Sequence, residues 1–131
     1  MFLLDTNVVI AALKGHPGVL NRITVQSPRD VFVSSIVAHE LYYGAYRSVR
    51  LSENLTRVEA LQFPIVEFDR DDARCAGEIR ALLSAAGNPI GPYDVLIAGQ
   101  ALSRSLVLVT RNGREFSRVD GLKIEDWEGE P

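Results

Sequence analysis

Four short apolar runs, each followed after a polar break by a helical pattern, constrain this fold more than any other feature. They are Phe2-Leu3-Leu4, Val31-Phe32-Val33, Ile65-Val66-Glu67-Phe68 and Leu106-Val107-Leu108-Val109. Between them the apolar residues fall on helical stripes: Val8, Val9, Ile10 and Leu13; Ile36, Val37, Leu41 and Tyr42; and Leu51, Leu55, Val58 and Leu61 over residues 51–62. Ser34 and Ser35 offer N-cap oxygens, and Pro64 ends the third of these helices. Asp69 or Asp71 opens a long helix through Cys75, Ile79, Leu82 and Leu83 that stops near Gly87. Pro92 suits the first turn of a helix over Tyr93–Ser103, and Leu122 to Glu125 offers a short fifth strand. Strands alternating with helices predict an α/β fold, with a parallel sheet of four to five strands covered on both faces. In such sheets a ligand sits beyond the carboxyl ends of the strands, where their order reverses.

With 131 residues, 47% of them apolar and 24% charged, one domain over 1–131 can bury a core without disulfides or structural metal. No repeat or low-complexity linker divides it. Cys75 is the only cysteine, which excludes an internal disulfide and leads us to expect a reducing cytoplasm. The longest apolar run, Val8 to Leu13, falls far short of the roughly 20 residues that span a bilayer. No basic segment precedes Met1-Phe2-Leu3-Leu4, so neither a membrane anchor nor a secretory leader is expected.

The formal charge of -3 argues against a nucleic-acid partner only until it is divided along the chain. Asp120, Glu125, Asp126, Glu128 and Glu130 against Lys123 alone give the last dozen residues -4, which leaves +1 for the rest. Of the 14 basic residues all but Lys14 and Lys123 are Arg, whose planar fork suits phosphates, although GC-rich coding gives the same bias. Arg104, Arg111, Arg114 and Arg118 are offset only by Glu115. That run reads either as a solvated basic face or as phosphate contacts around an acidic centre, with Arg104, Arg111 and Arg114 as the substrate-binding candidates.

Asp5 stands at the end of the first strand and Glu40 on the helix after the second. Asp94 lies in the first turn of the helix begun at Pro92, and Asn112 just past the fourth strand. Parallel topology brings all four to one end of the sheet. Clustered carboxylates cannot all stay ionised unless a cation neutralises them, and a hard divalent ion, Mg²⁺ or Mn²⁺, fits oxygen ligands with retained waters. Each acid alone has a plainer reading. Asp5 suits a helix N-cap, and Asp94 is favoured by the helix macrodipole. Glu40, flanked by core positions Val37 and Leu41, needs a partner either way.

Other signals fade. His39-Glu40-Leu41-Tyr42-Tyr43 begins like H-E-x-x-H, but Tyr43 takes the second histidine's place, and His16 and His39 are the only histidines. Cys75 reads as a small core residue rather than a nucleophile. No Gly-rich phosphate loop of either common pattern occurs. Tyr42, Tyr43 and Tyr46 sit at helical spacing beside Glu40 and read as a packing or dimer surface, with base stacking as the alternative.

Asp5-Thr6-Asn7, Ser35 to Glu40-Leu41, Gly91 to Ala98, Thr110 to Phe116 and the ending Val119 to Trp127 resemble, in order and over nearly the whole chain, the PIN-domain ribonucleases. The resemblance extends to the VapC toxins of type II toxin–antitoxin modules. It implies a three-layer α/β/α fold and Mg²⁺- or Mn²⁺-dependent cleavage of RNA. It also implies a VapB-like antitoxin whose C-terminal segment fills the active-site groove, within a larger toxin–antitoxin complex, and the tyrosines favour a homodimer. Asp5, Glu40 and Asp94 match the family's acids, with Asn112 at a fourth position that is often acidic. Glu115 would restore the missing charge, and Asn7 and Thr110 match polar positions that orient the acids. The Gly91–Ala98 and Asn112–Phe116 blocks resemble a branch that cuts initiator tRNA in its anticodon loop.

In the mechanism so implied, Asp5 and Asp94 hold the ion, Glu40 and Asn112 ligate it directly or through water, and Glu40 alternatively acts as general base. Two other functions compete. A phosphotransfer receiver needs paired acids after its first strand and a late lysine, whereas Asp5-Thr6-Asn7 supplies one acid and Lys14 and Lys123 are misplaced. A non-catalytic module on the same scaffold would bind RNA or protein without cleaving it.

Overall fold

The computed structural model describes residues 1–129; Glu130 and Pro131, the end of the acidic tail, lie outside the described residues. Its elements run β1 (Phe2–Leu4), α1 (Thr6–Leu13), α2 (Pro17–Thr24), a 3₁₀ turn (Pro28–Asp30), β2 (Val31–Ser34), α3 (Ser35–Tyr46) and α4 (Leu51–Glu59). They continue β3 (Ile65–Val66), α5 (Arg70–Ala85), α6 (Pro92–Ser103), β4 (Val107–Val109), α7 (Gly113–Phe116) and β5 (Ile124–Glu125). All strand pairs are parallel and the order is β3-β2-β1-β4-β5. The chain builds outward from β1 to β3, then returns to β4 on the other side of β1. Right-handed crossovers therefore put α1–α4 on one face and α5–α7 on the other, three layers in all. The order reverses between β1 and β4, so the expected site lies beyond Leu4 and Val109, which pair directly.

The sheet supplies the centre of the core through Leu3, Leu4, Val31, Val33, Leu108 and Val109, all buried. Val8, Val9 and Val37 cover one face and Ile97, Ala98 and Ala101 the other. Trp127 closes the β5 side, its ring edge-on to Phe2 at 5.1 Å and its indole N–H donating to Glu125 Oε1 at 3.1 Å. Among the described residues no helix is long and apolar enough to cross a membrane. Cys75 is half-buried, and burial, with Glu78 and Asp72 nearby, pushes its thiol pKa up, which suits packing rather than nucleophilic chemistry.

Helix starts follow the expected chemistry. Ser34 caps α3, accepting from the Ile36 amide, and Asp69 caps α5 in a reciprocal box with Asp72, both bonds at 3.0 Å. The helix expected over 51–62 ends earlier, at Glu59, because the Val33 amide donates to the Pro64 carbonyl and the chain must already be extended there. The third strand is shorter than the apolar run. The Phe68 amide leaves the ladder for Ser35 Oγ at 3.1 Å, while the Glu67 carbonyl receives Gln100 and Arg104. Helix α2 went unread in the sequence; its signal is His16 as N-cap, with Nδ1 accepting from the Val19 amide, and Pro17 in the first turn.

Helix α6 carries Asp94 at one end and is seated firmly along its length. A Cβ on Gly99 would lie 2.6 Å from the Ala76 backbone, so only glycine permits this approach of α5 to α6. Deeper still, the Gln100 amide nitrogen donates to the Val66 and Glu67 carbonyls and to Asp72 Oδ2.

Candidate active site

Asp5 follows β1 and is 5% exposed. Its Oδ1 accepts from the Thr6 amide at 2.8 Å, capping α1, and its Oδ2 accepts from the Thr110 hydroxyl at 2.8 Å. One carboxylate thus caps α1 and joins the end of β1 to the residue after β4. Burial pushes its pKa up and Glu115 adds to that, while the Thr110 and Thr6 bonds pull it down.

Glu40, on α3, reaches the same point from the β2 side. Its Oε1 accepts from the Thr6 hydroxyl at 3.0 Å. Burial raises its pKa, the Thr6 bond lowers it, Asp5 raises it and His39 lowers it. Thr6 therefore joins two acids, one through its amide and one through its hydroxyl. Its adjacency to Asp5 at a strand-to-helix turn was the available signal, but the sequence does not single it out.

Asp94, in the first turn of α6, is the most perturbed of the set. Burial, then repulsion from Asp5, Glu115 and Glu40, lifts it from 3.8 to about 6. Gly91 makes room for it, since a Cβ there would stand 3.0 Å from Asp94 Oδ2. From the β4 side, Glu115 Oε1 accepts from the Gly91 amide at 2.9 Å and its Oε2 accepts from the Asn112 side-chain amide. The Asn112 backbone amide donates in turn to Thr110 Oγ1 at 3.0 Å. Asn112 thus holds Glu115, which lies close enough to Asp94 to raise its pKa.

The remaining candidates divide. Asn7 and Arg111 line a cavity of about 550 Å³ with Lys14, His16 and Glu128. Arg111 and Arg114 are exposed, and neither forms an ion pair among the described residues. Arg104 stands elsewhere. It lies ten residues beyond Asp94, about 15 Å along the axis of α6, where its guanidinium bonds Asp72, Asp69 and the Glu67 carbonyl. Those partners take up its fork, so its place in the structure is an anchor for α6.

Among the described residues no Lys or Arg pairs with Asp5, Glu40, Asp94 or Glu115. This all-oxygen, uncompensated donor set suits a hard divalent ion. Among the described residues, no three His, Cys, Asp or Glu side chains are already arranged to hold such an ion.

A parallel α/β/α domain with four acids at the β1/β4 switch defines a class, and residues 2–122 match the PIN domain. The chain belongs to the VapC ribonucleases within that family. It is 43% identical over 129 residues to the tRNA(fMet)-specific endonuclease VapC of Salmonella typhimurium, covering 96% of this chain and 97% of that protein. Over 128 residues it is 40% identical to the tRNA(fMet)-specific endonuclease VapC of Shigella flexneri, with coverage of 96% and 97%. The crystal structure of DNA-bound VapBC from Salmonella typhimurium superposes with a TM-score of 0.91 at 43% identity, over 96% of this chain and 97% of that one.

Proposed function

We propose that this chain is a Mg²⁺- or Mn²⁺-dependent endoribonuclease toxin that cleaves initiator tRNA in the cytoplasm and is silenced by a VapB-like antitoxin. The carrying observation is the Asp94 carboxyl, raised to about 6 by burial first and then by Asp5, Glu115 and Glu40, which no basic side chain among the described residues offsets. Asp5 and Asp94 would hold the ion, with Glu40 and Glu115 ligating it directly or through water. The ion supplies Lewis acidity and offsets the charge that develops on the attacked phosphate. Glu40, with Oε1 anchored by Thr6, has Oε2 available to take a proton from the attacking water. Thr110 and Thr6 fix Asp5, and Asn112 orients Glu115. Arg111 and Arg114 hold the flanking phosphates.

The substrate follows from two relatives named as tRNA(fMet)-specific endonucleases. The partner follows from the VapBC assembly of the Salmonella structure. An antitoxin segment carrying Arg or Lys would neutralise this acidic edge and block substrate at once. Tyr43 and Tyr46, 60% and 61% exposed on α3, offer a surface for a second copy.

Incubating the purified protein and Mg²⁺ with initiator and elongator tRNAs, then mapping the new ends, tests the reading. Cleavage confined to the initiator anticodon loop is expected. Equal cleavage of all tRNAs would overturn the specificity, and intact RNA throughout would overturn the nuclease.

A further inference from the structure

Two aromatic side chains flank the acids without belonging to the core. His39 precedes Glu40 on α3 and Tyr93 precedes Asp94 on α6, and their rings stand 5.3 Å apart at 51°. His39 is exposed and Tyr93 is 46% exposed. Ordinary packing does not account for them. A tyrosine whose hydroxyl stays wet can still bury its ring, yet much of Tyr93 faces solvent within one residue of the most perturbed acid.

The strand order gives the pair a direction. Helix α3 follows β2 and α7 follows β4, on opposite sides of β1, so Glu40 and His39 approach Asp5 from one side. Glu115, Arg111 and Arg114 approach it from the other. A nucleotide chain crossing the acids would leave cations on the β4 side and meet His39 on the β2 side, with the Tyr93 ring 5.3 Å from it. Phosphates suit the first surface and an unpaired base suits the second, because every base has a π-face.

We propose that His39 and Tyr93 form a stacking platform for the unpaired nucleobase next to the scissile phosphate, resting on the endoribonuclease reading above. The two rings are tilted, so a base lying flat on one presents its edge to the other. Stacking on Tyr93 holds the nucleotide in place whatever its identity, and the His39 imidazole, with a donor and an acceptor nitrogen, supplies a preference among bases. Such a platform requires a base already free of its helix, as in a tRNA loop.

Stem-loop RNAs with 2-aminopurine at each loop position in turn, bound to the cleavage-deficient Asp94→Asn protein, read the contact by fluorescence quenching. Quenching at one position is expected, lost when Tyr93→Ala is added and kept with Tyr93→Phe. In the active protein Tyr93→Ala should raise KM about tenfold, with kcat far less affected. Absence of quenching at every position, or a quench and KM unchanged in both Tyr93→Ala and His39→Ala, would overturn the platform. So would a switch from dimer to monomer with the quench intact, which would make the pair a subunit contact. Quenching that depends on Tyr93 in a protein that cleaves no RNA with Mg²⁺ or Mn²⁺ would support the platform and overturn the nuclease.

Discussion

The Thr110 hydroxyl donates to Asp5 Oδ2 at 2.8 Å, joining residues 105 positions apart where Leu4 of β1 pairs with Val109 of β4. The bond is buried, and it opposes the upward push that burial gives the Asp5 carboxyl. Thr110→Val keeps the shape and removes the donor. Asp5 should then take up a proton more readily, and metal-dependent cleavage at neutral pH should fall by about tenfold or more. The loss should shrink as pH rises, visible as an alkaline displacement of the pH–rate profile.

Asp94 carries a second pH signature. Its pKa lies above the ordinary value, so the fold favours its neutral form. Its contribution to stability is complete below pH 3.8 and is lost as pH rises through about 6. Asp94→Asn should therefore raise the Tm of the metal-free protein at neutral pH by about 3–5 °C while abolishing cleavage. Mg²⁺ should raise the wild-type Tm and leave the variant's nearly unchanged.

Asp72 behaves oppositely. It is 0% exposed, and although burial opposes its charge, Arg104, the Asp69 amide and Gln100 hold its pKa below 3.8. Its stabilisation is present above that ordinary value and is lost as pH falls through its lowered one. Arg104→Ala leaves this carboxylate without its cation and should cost about 2–4 kcal/mol. Denaturant melts measure the loss, and KM for RNA should stay at the wild-type value under conditions where the variant is folded. A raised KM with intact stability would return Arg104 to the substrate surface.

Gly99→Ala should part α5 from α6, since its Cβ would overlap the Ala76 backbone. A cost of about 3 kcal/mol is expected, read as a lowered denaturation midpoint. Activity per folded molecule should fall too, because the same helix carries Asp94.

Much of this was written locally. Asp5, Glu40 and Asp94 are legible because a parallel sheet sends strand ends and helix starts to one edge, and each acid occupies such a position. Asp69 announces its cap for the same local reason. The anchoring role of Arg104 is not legible, because it depends on Asp72, 32 residues earlier, and the two meet only once α5 and α6 pack. Asn112 and Glu115 exchange a hydrogen bond across one turn, so the sequence offers both as the fourth position, and only the geometry shows one holding the other. Nothing in a one-dimensional pattern pairs His39 with Tyr93.

Cleavage of initiator tRNA by metal-stripped protein, with and without added Mg²⁺ or Mn²⁺, alongside Asp94→Asn at equal purity, tests the central claim most directly. The account predicts no cleavage without metal, rapid cleavage with it, and a loss of at least about a hundredfold in the variant at every metal concentration. Cleavage that survives both chelation and Asp94→Asn would contradict it.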